Sequence, residues 1–125
     1  MCNNCLKIKI ECCDEYDKRI SEYVLNLNCE GCKNYYLFLI DLNIDFKILC
    51  LTLIKKNNET NSNKFSRLLK FENLVLKRID NKMRYILDTI EENSSEMKEG
   101  CYLNKMNDLR DFNNFLESIK EANHN

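Results

Sequence analysis

Four of the eight cysteines in this 125-residue chain form two pairs of identical spacing, Cys2-Asn3-Asn4-Cys5 and Cys29-Glu30-Gly31-Cys32, with 23 residues between them. A CxxC turn aims both thiolates at one point, so each pair supplies half of a tetrahedral site. The spacing predicts one structural Zn2+ per chain, held by Cys2, Cys5, Cys29 and Cys32, with Cys12 or Cys13 able to substitute for Cys2. Such a four-thiolate site has no open coordination position and activates no water. Cys50 sits inside an apolar run and reads as a small packed hydrophobe, and Cys101 as a helix-packing residue. Cys12, Cys13, Cys50 and Cys101 are numerically enough for a second site, but adjacent cysteines seldom aim at one ion. A redox-active CxxC belongs to a βαβ context, and the pattern here does not supply one.

No nucleophile and base pair stands out. The single histidine, His124, lies in a polar tail and reads as a solvated residue. With two glycines in the whole chain there is no phosphate-cradling loop. Asp14-Glu15 offers paired carboxylates, which read first as a solvated turn. The expectation is therefore a protein that is not an enzyme. The opening Met1-Cys2-Asn3-Asn4-Cys5 has neither the basic start nor the apolar run of a secretory signal. An intracellular protein, nuclear or cytoplasmic and not secreted, is expected, with its cysteines reduced and available to metal. The most apolar stretch, from Tyr35 to Ile54, carries Asp41, Asp45 and Lys47 and makes a poor membrane span.

The elements that must position the cysteines read as strands. Leu6-Lys7-Ile8-Lys9-Ile10-Glu11 alternates apolar and charged side chains, the period of a half-buried strand. Cys13 to Arg19 is polar and suits a turn. Tyr23 to Asn28, Tyr35 to Leu42 and Lys47 to Ile54 follow as further strands, with Asn43 to Asp45 as the turn between the last two. This predicts a zinc-ribbon β-module over 1–56 and an α+β fold. Residues 57–63, Asn-Asn-Glu-Thr-Asn-Ser-Asn, read as a polar linker with capping side chains for the next element.

From Lys64 to about Glu92 the period becomes helical, with Phe65, Leu68, Leu69, Val75, Leu76, Ile79, Met83, Ile86, Leu87 and Ile90 on one stripe. After a break at Ser94, Ser95 and Gly100, Tyr102, Met106, Leu109, Phe112, Leu116 and Ile119 mark a shorter helix. An antiparallel helical hairpin over 64–122 and a polar tail at 123–125 are expected.

Two resemblances attach to the cysteine pattern. Cys2 to Cys32 resembles in spacing the zinc ribbon of RNA polymerase subunits and transcript-cleavage factors, whose acidic hairpin pair Asp14-Glu15 partly matches; the pair lies early in the hairpin, and no cleavage activity is carried over. The runs Leu27 to Cys32, Tyr35 to Leu42 and Leu49 to Ile54 resemble the second knuckle and following strands of the zinc-ribbon OB-fold domain at the C-terminal end of the replication protein A large subunit. That likeness covers roughly a quarter to a third of the chain and implies single-strand binding in replication or transcription machinery.

The long helix carries Lys64, Arg67, Lys70, Lys77, Arg78, Lys82 and Arg84, interleaved with Phe71 and Tyr85, a combination that can contact phosphates and bases. The formal net charge of only -1 instead suits a solvated face. Phe71, Leu74 and Tyr85 lie off the main stripe and call for a cover. Two functions are thus expected: an accessory or single-stranded nucleic-acid-binding factor, or an adaptor that docks into a larger protein complex through its helices.

Overall fold

The computed structural model describes residues 2–26, 30–92 and 99–124, and for residues 30–32, 90, 99–108 and 122–124 it describes the backbone only. Four helices run in chain order: α1 (Asn3–Leu25), α2 (Glu30–Asn57), α3 (Ser62–Glu92) and α4 (Glu99–His124). Among the described residues there is no strand. The α+β fold with a zinc-ribbon module over 1–56 is therefore incorrect, and the protein is all-helical. The runs that resemble ribbon and OB-fold strands lie within α1 and α2 wherever they are described.

A longer window explains the difference. In α1 the inward residues are Leu6, Lys9, Ile10, Cys13, Tyr16, Asp17, Ile20 and Val24, all buried or half-buried at alternating steps of three and four. That is the helical period. The two-residue alternation of Leu6 to Glu11 depended on Ile8, which is exposed. No proline occurs in the chain to interrupt helices of this length.

Side chains close the helix ends. Cys2 caps α1, its sulfur accepting the Cys5 backbone N–H at 3.4 Å. Asn26 closes the other end, its amide nitrogen donating to the Glu22 carbonyl at 3.1 Å. Asn61 caps α3, its Oδ1 accepting from the backbone N–H groups of Asn63 and Lys64 at 3.0 and 3.1 Å. The polar segment 57–63 thus joins α2 to α3, and α3 begins within two residues of the expected start.

The chain forms two compact units, Cys2–Lys82 and Met83–Asn125. In the first, α2 lies between two antiparallel neighbours. On one side Asn3 exchanges side-chain hydrogen bonds with Asn57 and Asn58, Asn43 donates to the Cys13 carbonyl and to Asp17, Lys47 pairs with Asp14 and Asp17, and Tyr23 meets Tyr36 edge-on. On the other side Lys56 binds both oxygens of Glu72, and Asp45 takes Arg78 and Lys82. Leu39, Leu42, Phe46, Leu49 and Leu53 of α2 are buried, as are Leu6, Val75 and Ile79 of its neighbours. In the second unit Met83, Ile86, Leu109, Phe112, Leu116 and Ile119 are buried.

The residues expected to form turns are the groups that tie helix to helix. Asn43 to Asp45 lies in the middle of α2, with Asn43 and Asp45 both buried. Asp14 and Asp17, placed in a turn by their polarity, meet Lys47. A buried, ion-paired polar residue and a solvated turn residue look alike in sequence, and only the partner distinguishes them.

The Lys56–Glu72 pair is the most enclosed, with side chains 10% and 1% exposed. Removing one member strands a charge in the interior, whereas replacing both with apolar groups does not. Lys56→Met should lower the unfolding free energy by about 3 kcal/mol, and the double replacement Lys56→Met/Glu72→Leu should restore it to within about 1 kcal/mol of the parent. Urea unfolding followed by circular dichroism reads both values.

Candidate functional site

The cysteines fall into different environments because α1 is one continuous helix. Cys2 and Cys5 flank its first turn, both exposed, with sulfurs 3.0 Å apart. Cys32 lies in the first turn of α2, at the far end of the antiparallel α1–α2 pair. A helix the length of α1 separates two such ends by roughly 30 Å. Cys29 lies outside the described residues, and of Cys32 only the backbone is described.

One tetrahedral centre needs its sulfurs each about 2.3 Å from the metal. Cys2 and Cys5 therefore cannot share an ion with Cys32 in this fold. Nor do Cys12 or Cys13 substitute, because the intervening turns of α1 carry them roughly 10 Å along the helix from Cys5. Among the described residues no group of three or more His, Cys, Asp or Glu side chains is arranged to hold a metal. Cys101 and His124 belong to α4, where only their backbone is described.

Electrostatics sorts the thiols further. The hydrogen bond shared with the Cys5 thiol, helped by the Cys5 backbone N–H, holds the Cys2 thiol below its ordinary range. The same contact pushes Cys5 up. Cys13 and Cys50 are buried. Loss of hydration raises both, Cys50 to about 12.

Of the seven basic residues expected to meet nucleic acid, Lys64, Arg67, Lys70, Lys77, Arg78 and Lys82 lie in the first unit and Arg84 in the second. Arg78 reaches Asp45 at 3.2 Å, and Lys82 reaches Asp41 and Asp45 at 2.8 and 2.6 Å. Desolvation by partial burial opposes its charge, but the hydrogen bonds Lys82 donates to Asp41 and Asp45 outweigh it and raise Lys82 above the ordinary lysine range. Both cations are thus engaged with α2. Lys64, Arg67, Lys70 and Lys77 are exposed on α3, as is Arg84. Asp14 is engaged by Lys47, and Glu15 is exposed on α1. A recess of about 490 Å³ lies where α2 meets α3, bordered by Ile54, Leu68, Lys55, Lys64 and Arg67, and it opens broadly to solvent.

The expected α3 stripe divides. Val75, Ile79, Met83 and Ile86 are buried, Leu68, Leu76 and Leu87 half-buried, and Phe65 and Leu69 exposed. Phe71, Leu74 and Tyr85, which needed a cover, are also exposed. A second apolar surface was missed from sequence. On α2, Leu37, Ile44 and Leu51 are 50%, 45% and 50% exposed. They stand seven residues apart and share one side of the helix, with half-buried Ile40 and Ile48 beside them. Heptad spacing was the signal, hidden because the stretch was divided into two strands.

Comparison with protein-family models, with curated proteins and with solved structures finds no match. No helix among the described residues is long and apolar enough to cross a membrane.

Burial of Cys50 has a consequence for pH. Its folded thiol stays neutral to about pH 12 whereas an unfolded thiol ionises near 9.0. A raised folded value means the contribution to stability is complete below pH 9 and lost as pH climbs from 9 toward 12. Over that window Cys50→Ala should flatten the fall of unfolding free energy by about 1 kcal/mol per pH unit. Denaturant titrations of parent and variant across the alkaline range check this, and parallel slopes would show that Cys50 does not contribute.

Proposed function

We propose that this chain is a non-catalytic interaction module, a helical subunit of a larger assembly that receives an amphipathic helix from a partner protein along the outer side of α2. The observation that carries this reading is the row Leu37, Ile44 and Leu51. A helix apolar on one side buries that side and solvates the other. In α2 the side turned away from the packed interior is also apolar. Three large side chains, each about half exposed, would yield about 1 kcal/mol apiece on complete burial. A partner helix with apolar residues at heptad spacing matches the row. Lys33 and exposed Lys55 flank its two ends, so acidic residues on the partner complement it.

The same charges argue against self-pairing about Ile44, since an antiparallel second copy would bring Lys33 opposite Lys55. The nucleic-acid reading retains Lys64, Arg67, Lys70 and Lys77, whereas the ion pairs of Arg78 and Lys82 and the net charge of -1 weigh toward a protein partner. An intracellular setting, nuclear or cytoplasmic, suits the free thiols.

Synthetic helical peptides with leucine at heptad spacing provide the test. A peptide flanked by glutamate should bind the full chain, and Ile44→Glu should weaken binding by more than about tenfold while leaving helical content unchanged. Equal affinity for a lysine-flanked peptide, or indifference to Ile44→Glu, would remove the proposal. Titration with a single-stranded oligonucleotide supplies the competing outcome. Salt-dependent binding abolished by Lys70→Glu/Lys77→Glu would favour the nucleic-acid role, and no binding at moderate salt would favour the module.

A further inference from the structure

The first turn of α1 holds two exposed sulfurs 3.0 Å apart, about 1 Å beyond the length of a disulfide bond. Cys2 is the cap residue, with an extended backbone at φ -78 and ψ 160, so its side chain folds back over the helix end. Its sulfur accepts the Cys5 backbone N–H at 3.4 Å and shares a hydrogen bond with the Cys5 thiol. The positive end of the helix lies beneath it, and no acidic residue occupies the first turn. Asn3, between the two cysteines, is tied to Asn57 and Asn58, which fastens this turn to the end of α2.

We propose that Cys2 and Cys5 form a dithiol–disulfide exchange site, with Cys2 as the attacking sulfur and Cys5 as the resolving one. The partner is an external disulfide, R–S–S–R. The Cys2 thiolate attacks one of its sulfurs, forming a mixed disulfide and releasing one RS⁻. The Cys5 thiol loses its proton to solvent and attacks Cys2 Sγ, forming the Cys2–Cys5 bond and releasing the second RS⁻. The chain loses two electrons and the external disulfide gains them. Closing the bond moves two sulfurs within one turn, so the helix beyond Leu6 need not change.

The other described thiols do not share this arrangement. Cys12 is exposed in mid-helix, with its neighbour Cys13 turned into the interior, and Cys50 is buried. None of them sits at a helix cap. The site therefore rests on the pairing of two sulfurs with one cap, which occurs at this position alone among the described residues.

Glutathione disulfide is the probe, applied to the full chain at neutral pH with and without a chelator, followed by acid quenching and peptide mapping by mass spectrometry. The expected first product is an internal Cys2–Cys5 disulfide, with Cys12 still free and the circular dichroism spectrum unchanged. Cys5→Ser should stop the reaction with glutathione attached to Cys2. Cys2→Ser should slow glutathione uptake at Cys5 by about tenfold relative to uptake at Cys2 in Cys5→Ser. Three results would overturn the proposal: Cys12 reacting as fast as Cys2, Cys5 reacting equally fast with Cys2 removed, or exchange proceeding only after a tightly held zinc ion is stripped from the pair. The last would assign these two sulfurs to a metal half-site.

Discussion

Asn43 and Asp45 stand two residues apart in the middle of α2 and face opposite neighbours. Asn43 donates to the Cys13 carbonyl at 2.9 Å and to Asp17 at 2.7 Å, while Asp45 receives Arg78 and Lys82. A step of two residues along a helix nearly reverses direction, so this short stretch can hold one helix on each side. Burying either group without its partner is costly. Sliding α1 or α3 by one turn would displace these partners by about 5.4 Å and strand the polar atoms. Apolar packing tolerates many registers, and the buried polar groups select one of them. Lys56 and Glu72 repeat the arrangement closer to the α2–α3 connection.

That register determines the chemistry of the thiols. Because Asn3 is held against Asn57 and Asn58, the first turn of α1 has a fixed partner, and Cys2 and Cys5 are presented at a supported helix end. Because Cys13 of α1 and Cys50 of α2 are both buried, desolvation keeps them neutral. Residues of one type, some adjacent in sequence, thereby acquire different reactivity from position alone. Cys12 and Cys13 are next to each other, yet one is exposed and the other buried.

How much of this could be read from sequence depended on window length. Residues 64–92 gave many apolar positions at a consistent period, and α3 runs from Ser62 to Glu92. Likewise Leu109, Phe112, Leu116 and Ile119 are buried as their spacing implies. The first half was misread because six or eight residues fit either period, and because two CxxC pairs invited a ribbon between them. Asp14, Asp17, Asn43 and Asp45 then passed for turns. The chain has no proline and only two glycines, a poor supply for the several tight turns of a β-module, and that shortage was the available counter-signal. At the site, the pairing of Cys2 with Cys5 was legible because it is local. The separation from Cys32 was not, since it depends on whether the intervening chain doubles back or runs straight.

A final constraint concerns the outer side of α2. Both flanks of this helix are occupied by α1 and α3, and Leu39, Leu42, Phe46, Leu49 and Leu53 are already buried. Packing against these two neighbours therefore leaves Leu37, Ile44 and Leu51 outside it. The exposed apolar residues of α3 differ in kind, since Phe71 and Leu74 stand among Lys70 and Lys77 and are diluted by charge. Along α2 the row is continued by Ile40 and Ile48, with Asp41 beside it paired to Lys82 and with Lys33 and Lys55 at its ends. A scattered exposed leucine needs no explanation, but apolar residues in register at every second turn form a surface that another helix can follow. The polar contacts that place α1 and α3 beside α2 also leave this one direction open, so the same buried groups that fix the register define where a partner would lie.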